Sequence, residues 1–337
     1  MLSVLSEVVR RGEYLSRCSP MKLDFLQAYK KMFLIRTAEQ EIAALYLRDK
    51  IMSFVHFYIG QEAVAVGVCD ALMAEDKVLG NHRSHGHYLA KGGDLKRMVC
   101  ELLGKENGLA RGKGGSMHMI DTSVNFVGTT PILGSVVPLS CGTAFEQKYN
   151  KTNGITAAFF GDGAFEEGIV YETLNLSALF KLPLLLVVEN NLFAVNSKLS
   201  DRRSPEYDIE KIVTGFGVTY VKADGNDYED VYNKAKKVAE TVRAGKPAVL
   251  ECIAYRHMAH SAPIFDEGYR EEDVLEKRQE KDSVQKVRKA LLARGTTEEE
   301  VVAIEESIKK AVVDSIQFAA DSSYPAKETL YTNLYAS

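Results

Sequence analysis

A strand–helix–strand unit between residues 155 and 191 constrains the fold of this chain more than any other segment. It reads "ITAAFFGDGAFEEGIVYETLNLSALFKLPLLLVVENN". The pattern predicts strands over Ile155–Phe160 and Leu184–Glu189, with a helix from about Ala164 to Phe180 between them. Because the second strand contains "LLLVV" and is apolar on both faces, it is typical of a central parallel strand covered by helices on both sides.

Strands and helices continue to alternate in the rest of the chain. The sequence predicts helices over Lys22–Arg48, Gln61–Met73 and Tyr228–Ala244, and a further strand in "KPAVLECIAYR". This alternation indicates an α/β fold with a doubly wound, mostly parallel sheet and helices on both faces. Thr297 and Glu300 have the spacing of a capping box that opens a C-terminal helix.

Composition divides the chain into three segments. We expect an N-terminal helical segment over 1–50, an α/β domain over 51–268, and a charged, helical C-terminal extension over 269–337 packed on the same unit. The Gly-rich stretch from 104 to 142 is too long for an ordinary connection, which favours a functional role for it.

The turns that follow the two strands of the opening unit carry polar side chains. Asp162 stands in the turn "GDG", and Asn190 and Asn191 follow the second strand. Because ligands of parallel sheets bind at the carboxyl ends of the strands, these side chains are expected at one site. Carboxylate and amide oxygens suit Mg²⁺, which is commonly completed by phosphate oxygens. The sequence therefore predicts a magnesium ion that carries a diphosphate.

The charge balance and the cysteines exclude several other classes of protein. Of 337 residues, 46 are acidic and 42 are basic, so no strong basic field favours nucleic acid or a membrane surface. The five cysteines are widely spaced and lack a C-x-x-C pair, which argues against a disulfide framework. No apolar run reaches the roughly 20 residues of a membrane span. We expect a cytoplasmic protein, or one of an organellar matrix if the source is eukaryotic.

Six blocks, in order along the chain, resemble one family. They are "YIGQEAVAVG" (58–67), "HRSHGH" (82–87), "GKGGSMHM" (112–119), "LGSVVPLSCG" (133–142), the GDG–NN unit, and "YRHMAHS" (255–261). The GDG–NN unit resembles the thiamine-diphosphate motif. The whole set resembles the α subunit of the thiamine-diphosphate-dependent E1 component of 2-oxo acid dehydrogenases, which includes the pyruvate, branched-chain and acetoin enzymes.

The resemblance implies a cofactor site of thiamine diphosphate and Mg²⁺. It implies that Asp162, Asn191 and the backbone carbonyl of Phe193 bind the metal. The residues that it places against the cofactor are His82, Arg83, Leu133, Asp162, Gly163, Ala164, Asn191, Phe193 and His260. Among them, Arg83 matches an arginine that binds diphosphate, as the shape of a guanidinium allows. The "GKGGSMHM" block is not a phosphate loop because it lacks the G-x-x-x-x-G-K-[ST] pattern, and His118 is expected to be structural.

His260 is the catalytic residue that the resemblance implies, and the stretch "SAPIFDEGYR" after it matches an active-site loop of the family. An imidazole suits proton transfer because its unperturbed pKa is about 6.5. Three residues depart from the pyruvate-type pattern: Met258 replaces a second histidine, Ile59 an aspartate and Glu166 an asparagine. These departures leave the substrate open.

The resemblance implies oxidative decarboxylation of a small 2-oxo acid, with pyruvate as the first candidate, and transfer of the acyl unit to a lipoyl-bearing E2 acyltransferase. It also implies an E1 β subunit that completes the cofactor site in an α₂β₂ heterotetramer. An acetoin dehydrogenase α subunit, or another thiamine-diphosphate enzyme on the same fold, is the alternative. A nucleotide-binding module or a scaffold subunit is a third hypothesis, although the chain lacks an early G-x-G-x-x-G motif.

Overall fold

The computed structural model describes residues 23–262 and 280–332, and its centre is a six-stranded sheet. Its strands are β1 (Lys77–Gly80), β2 (Phe126–Thr129), β3 (Thr156–Gly161), β4 (Leu184–Asn190), β7 (Thr219–Asp224) and β8 (Ala248–Ile253). Their order across the sheet is β2-β1-β3-β4-β8-β7, and every neighbouring pair is parallel. The predicted parallel α/β sheet is confirmed. The short strands β5 (Phe193–Ala194) and β6 (Ser197–Lys198) form a separate antiparallel hairpin.

Helices cover both faces of the sheet. They are α1 (Phe25–Leu47), α2 (Glu62–Ala71), α3 (His85–Ala90), α4 (Leu95–Leu102), α5 (Val136–Tyr149), α6 (Gly168–Phe180), α7 (Leu199–Arg202), α8 (Ile209–Gly215), α9 (Tyr228–Arg243), α10 (Ser283–Ala293) and α11 (Glu298–Asp321). In the part of the chain that the structure describes, no helix combines the length and the apolar character that crossing a bilayer requires.

The two faces of the sheet have separate apolar cores because side chains alternate along each strand. Ala157 and Phe159 of β3 pack into the core that contains α1, α2 and α9. Ala158 and Phe160 of the same strand pack into the opposite core, with α5, α6 and α8. All seven residues of β4 are buried, as predicted for a central strand. The sheet is therefore doubly wound, which confirms the predicted fold class.

The C-terminal helices pack against the first helix. Val284 of α10 and Val301 and Val312 of α11 share an apolar core with Met32 and Ile35 of α1. The predicted capping box opens α11: the Thr297 hydroxyl accepts a hydrogen bond from the Glu300 amide, and the Glu300 carboxylate accepts one from the Thr297 amide. The proposed boundaries at residues 50 and 268 stay predictions.

Helix α5 is the largest element that the sequence pattern did not indicate. It begins at the end of the Gly-rich region and continues beyond it to Tyr149. It buries Val136, Val137, Ser140, Cys141 and Ala144, a helical spacing. Pro138 falls in the first turn, where its missing amide costs no helical hydrogen bond. The sequence pattern also did not indicate strands β1, β2 and β7. Strands β1 and β2 have only four residues each, which is too short for a clear pattern.

The "GKGGSMHM" segment is held by a carboxylate. Both oxygens of Glu101 accept hydrogen bonds from backbone amides, those of Ala110, Gly112, Gly114 and Gly115, at 2.6–3.0 Å. An acidic side chain therefore satisfies the amides that a phosphate loop would offer to its ligand. This arrangement agrees with the expectation that the segment is not a phosphate loop.

Candidate active site

Three loops meet at the carboxyl edge of the sheet. The strands β1, β3 and β4 are neighbours and parallel, so the segments that follow them leave the sheet side by side. These segments begin at Asn81, Asp162 and Asn191. The position matches the edge at which open α/β sheets bind ligands.

The loops enclose a cavity of about 360 Å³. All nine residues expected at the cofactor line it: His82, Arg83, Leu133, Asp162, Gly163, Ala164, Asn191, Phe193 and His260. The lining also contains residues that sequence reasoning did not select, namely Gln61, Glu167, Glu189, Arg202 and Arg256. Their spacing along the chain carries no signal, because they reach the cavity only through the tertiary fold.

Asp162 lies in the tightly packed turn that follows β3. Its side chain is buried, with 1% of its surface exposed. A Cβ placed on Gly163 would lie 2.7 Å from the Cβ of Ala194 in the β5–β6 hairpin, closer than such atoms come. Glycine at 163 is therefore required for the hairpin to pack against the turn.

The helix after this turn begins later than the sequence predicted. Ala164–Glu166 form a single 3-10 turn, Glu167 is extended, and α6 starts at Gly168 rather than at about Ala164. The extended Glu167 separates the turn from the helix.

The two adjacent asparagines differ in what they contact. The amide of Asn190 donates to Glu251 Oε1 at 2.7 Å, and its oxygen accepts from the Leu192 amide, so it fixes the end of β4. Asn191 lines the cavity and donates to Gln61 Oε1 at 3.1 Å. Leu192 adopts a φ of 70°, a left-handed conformation that carries the chain over into the hairpin. The Asn191 oxygen accepts one hydrogen bond, from the Phe193 amide at 3.3 Å, and its second lone pair can face a ligand.

Arg83 connects two sides of the cavity. Its guanidinium donates to the carbonyl oxygen of Phe57 at 2.7 Å and to that of His260 at 2.9 Å. Its buried charge is therefore held rigidly beside the cavity wall. A fixed guanidinium is suited to bind an anion such as diphosphate.

Three histidines pack against one another next to Arg83. Their ring centroids are 4.4 Å apart for His56–His82, 4.9 Å for His56–His260 and 5.4 Å for His82–His260. Neither ring nitrogen of His82 has a hydrogen-bond partner among the described residues. Buried ring nitrogens normally have a hydrogen-bond partner, so this part of the cavity wall is suited to bind a polar ligand. The sequence blocks indicated His82 and His260 as cofactor-site residues but not His56.

These histidines are neutral at neutral pH. Burial, together with the charge of Arg83, lowers the pKa of His56 to about 3. Burial and the guanidiniums of Arg83 and Arg256 lower the pKa of His260 to about 4. Burial likewise lowers the pKa of His82 well below its usual range. Each ring can therefore accept a proton on one nitrogen while it holds a proton on the other.

Glu189, one of the lining residues, is a buried carboxylate with several hydrogen-bond partners. The hydroxyl of Tyr58 donates to its Oε1, and His87 Nε2 lies 2.9 Å from the same oxygen. Asn81, the first residue after β1, donates to Oε2 at 3.4 Å. Glu189 therefore joins the end of β4 to the loop that carries His82 and Arg83.

The family model for "Dehydrogenase E1 component" matches residues 30–328 of the chain. Among curated proteins, the pyruvate dehydrogenase E1 component subunit alpha of Rickettsia prowazekii is 37% identical over 319 residues, which cover 94% of this chain and 97% of that protein. The subunit of the same name from Zymomonas mobilis is 39% identical over 92% of this chain and 88% of its own length. The mitochondrial subunit alpha-1 of rice is 40% identical over 93% and 80%.

These matches extend over nearly the whole chain, well beyond the residues that line the cavity. They confirm the resemblance drawn from the six sequence blocks and the enzyme class that it implied, a thiamine-diphosphate-dependent oxidoreductase. The names of these relatives do not favour the acetoin alternative. The chain belongs to the dehydrogenase E1 component family.

Proposed function

We propose that this chain is the α subunit of a pyruvate dehydrogenase E1 component, which binds Mg²⁺ and the diphosphate end of thiamine diphosphate. One observation carries the proposal. The turns after the adjacent strands β3 and β4 bring Asp162, Asn191 and Phe193 to one cavity with Arg83 and His260. The relatives that support the assignment carry the same subunit name.

The donor set supports the metal assignment. Asp162 offers a carboxylate, Asn191 an amide oxygen and Phe193 a backbone carbonyl, and all three are hard oxygen ligands of the kind that Mg²⁺ prefers. Mg²⁺ keeps few protein ligands and leaves positions for phosphate oxygens. These three residues would therefore hold the metal and still leave room for the diphosphate.

The other lining residues would bind the cofactor itself. Arg83 would bind the diphosphate, and Gly163 and Ala164 would contact it through their backbone. The unpartnered ring nitrogens of His82 would bond to the cofactor, and the backbone near Leu133 would face the aminopyrimidine ring. When bound, thiamine diphosphate supplies a carbanion for attack on a carbonyl and an electron sink for carbon–carbon cleavage.

His260 is the proposed catalytic residue. Its ring is neutral at neutral pH, so it can exchange a proton with a substrate oxygen in either direction. Arg83 fixes the His260 backbone and also lowers the pKa of its ring. Pairing of Arg83 with a diphosphate anion would weaken this effect, and the pKa of His260 would rise toward its usual value.

We propose an E1 β subunit that covers the open side of the cavity in an α₂β₂ heterotetramer, and a lipoyl-bearing E2 acyltransferase that receives the acyl unit. The names of the relatives, each a subunit alpha of an E1 component, support the β partner. We also propose a cytoplasmic setting, which the four buried free thiols Cys69, Cys100, Cys141 and Cys252 support.

Pyruvate is the proposed substrate. The departures at Ile59 and Met258 do not change the lining of the cavity, because neither side chain is part of it. Glu166 does line the cavity, but its carboxylate pairs with Arg202 and Arg203. The active-site loop expected after His260 lies outside the described residues from position 263 onward.

Co-expression with the β subunit tests the proposal directly. With Mg²⁺ and thiamine diphosphate, reduction of an artificial electron acceptor should be fastest with pyruvate in a panel that also holds branched 2-oxo acids and acetoin. A preference for acetoin would overturn the substrate assignment. Cofactor binding without turnover of any of the three would overturn the dehydrogenase reaction for this chain.

A further inference from the structure

The carboxylate of Asp162 is already paired with a cation of the chain itself. Arg202 Nη2 lies 2.5 Å from Asp162 Oδ2, and Nη1 of the same guanidinium lies 2.5 Å from Glu166 Oε1. The pair is well shielded from solvent, since the side chains of Arg202 and Asp162 are 13% and 1% exposed. An ion pair in such surroundings is strong, so any other cation at this oxygen must compete with it.

A second arginine holds the same segment without touching the carboxylate. Arg203 Nε lies 2.6 Å from Glu166 Oε1, and its Nη2 donates to the backbone carbonyl of Asp162 at 2.8 Å. Its guanidinium also stacks over the ring of Tyr207 at 4.7 Å. Arg203 therefore anchors the segment and acts on the Asp162 carboxylate only from a distance, whereas Arg202 contacts that carboxylate directly.

Arg202 belongs to the segment that carries one of the proposed metal ligands. Phe193 opens the β5–β6 hairpin, and α7, which ends with Arg202, follows the hairpin directly. One short stretch of chain therefore carries both the proposed backbone carbonyl ligand of the metal and a guanidinium. That guanidinium already balances the charge of Asp162, as a bound metal ion would.

We propose that Arg202 is an internal counter-cation that competes with the divalent metal for the carboxylate of Asp162. The inference rests on the proposed role of Asp162 as a metal ligand. A metal ion bound to this carboxylate would lie close to the guanidinium on Oδ2 and be repelled by it, so the Arg202–Asp162 pair opposes metal binding. Glu166 keeps Arg202 at the edge of the cavity, where a diphosphate that arrives with the metal offers it new acceptors.

The test measures metal affinity in the absence of the cofactor. In the full complex with the β subunit and without thiamine diphosphate, Mn²⁺ binding is followed by electron paramagnetic resonance. Arg202→Gln should bind Mn²⁺ about tenfold more tightly than the wild type, since the competing charge is gone. Arg203→Gln is the matched control and should change the Mn²⁺ affinity much less than Arg202→Gln does, because Arg203 does not contact the Asp162 carboxylate. Equal affinity of Arg202→Gln and the wild type would overturn the inference.

Four further variants make the result specific. Arg202→Lys retains a positive charge and should stay near the wild-type affinity, so tight binding by this variant would overturn the charge argument. Arg202→Met removes the charge but keeps the apolar stem. It should also bind Mn²⁺ more tightly than the wild type, and it replaces Arg202→Gln in the test if that variant does not fold. Asp162→Asn, alone and together with Arg202→Gln, should abolish Mn²⁺ binding. Binding that survives it would instead reject the proposed metal role of Asp162.

Discussion

At the scale of single residues, the proposed metal site depends most directly on the carboxylate of Asp162. Asp162→Asn keeps the size of the side chain but removes its charge. We expect Mg²⁺-dependent binding of thiamine diphosphate, measured by calorimetry, to weaken by at least about 100-fold, since even groups outside the metal's own ligands change affinity by 10–100-fold. Asp224→Asn is the matched control, because Asp224 also ends a parallel strand but does not line the cavity. Unchanged affinity in Asp162→Asn would remove this residue from the site.

The histidines beside Arg83 give a prediction about pH. The folded chain keeps His56, His82 and His260 neutral well below the pH at which they bind protons in the unfolded chain. The unfolded state therefore binds more protons as the pH falls from about 6.5 toward about 4, and the free energy of unfolding falls over that range.

Comparison of variants isolates this contribution from all other titrating groups. The urea midpoint of the complex, at fixed protein concentration, should fall less between pH 7 and pH 5 in His56→Gln than in the wild type. His118→Gln is the control, because its ring is exposed and lies outside the cluster. An identical pH dependence in His56→Gln and the wild type would contradict the lowered pKa of His56.

At the scale of elements, the packing of the GDG turn against the β5–β6 hairpin shapes the cavity. In Gly163→Ala the new methyl group would lie 2.7 Å from the Cβ of Ala194, so the hairpin must move. Overpacking of this kind costs roughly 1–3 kcal/mol. We expect a lower unfolding temperature without cofactor and weaker cofactor binding, since the hairpin carries Phe193.

Gly161→Ala is the control within the same turn. Among the described residues, apart from its chain neighbours, no atom would lie within 4 Å of a Cβ at Gly161. The unfolding temperature without cofactor should therefore stay close to that of the wild type. If both variants lose the same stability, the contact with Ala194 is not what requires glycine at 163.

The elements that the sequence predicts well are those with local, repeated signals. The unit β3–α6–β4 is long and apolar, and its predicted strands agree with the structure to within one residue at each end. Helix α5 is not evident from the sequence because Pro138 and Gly142 interrupt its apolar pattern. Arg202 could not be predicted at the site, because its contact with Asp162 joins residues 40 positions apart through a hairpin of two-residue strands.

At the scale of the whole molecule, the apolar core on one face of the sheet depends on helices from both ends of the described chain. Helices α10 and α11 cover α1, which in turn covers α2 and α3. Arg36 of α1 bonds at once to Glu62 of α2 and to Asp282 at the start of α10. Helices α1, α2 and α10 are therefore tied to one another by a buried charge as well as by apolar contact.

This link predicts a large loss of stability when Arg36 is removed. Arg36→Met would leave the carboxylate of Glu62, which is fully buried, without its cation, and breaking such a pair costs about 3–5 kcal/mol. Lys310→Gln breaks an exposed pair with Asp314 on α11 and is the control, since exposed pairs contribute little. We expect urea unfolding of the complex to shift to a lower midpoint as one transition in Arg36→Met, because α1, α10 and the sheet share a core. A separate early transition confined to α10 and α11, followed by hydrogen exchange, would show instead that the C-terminal helices unfold as a unit of their own.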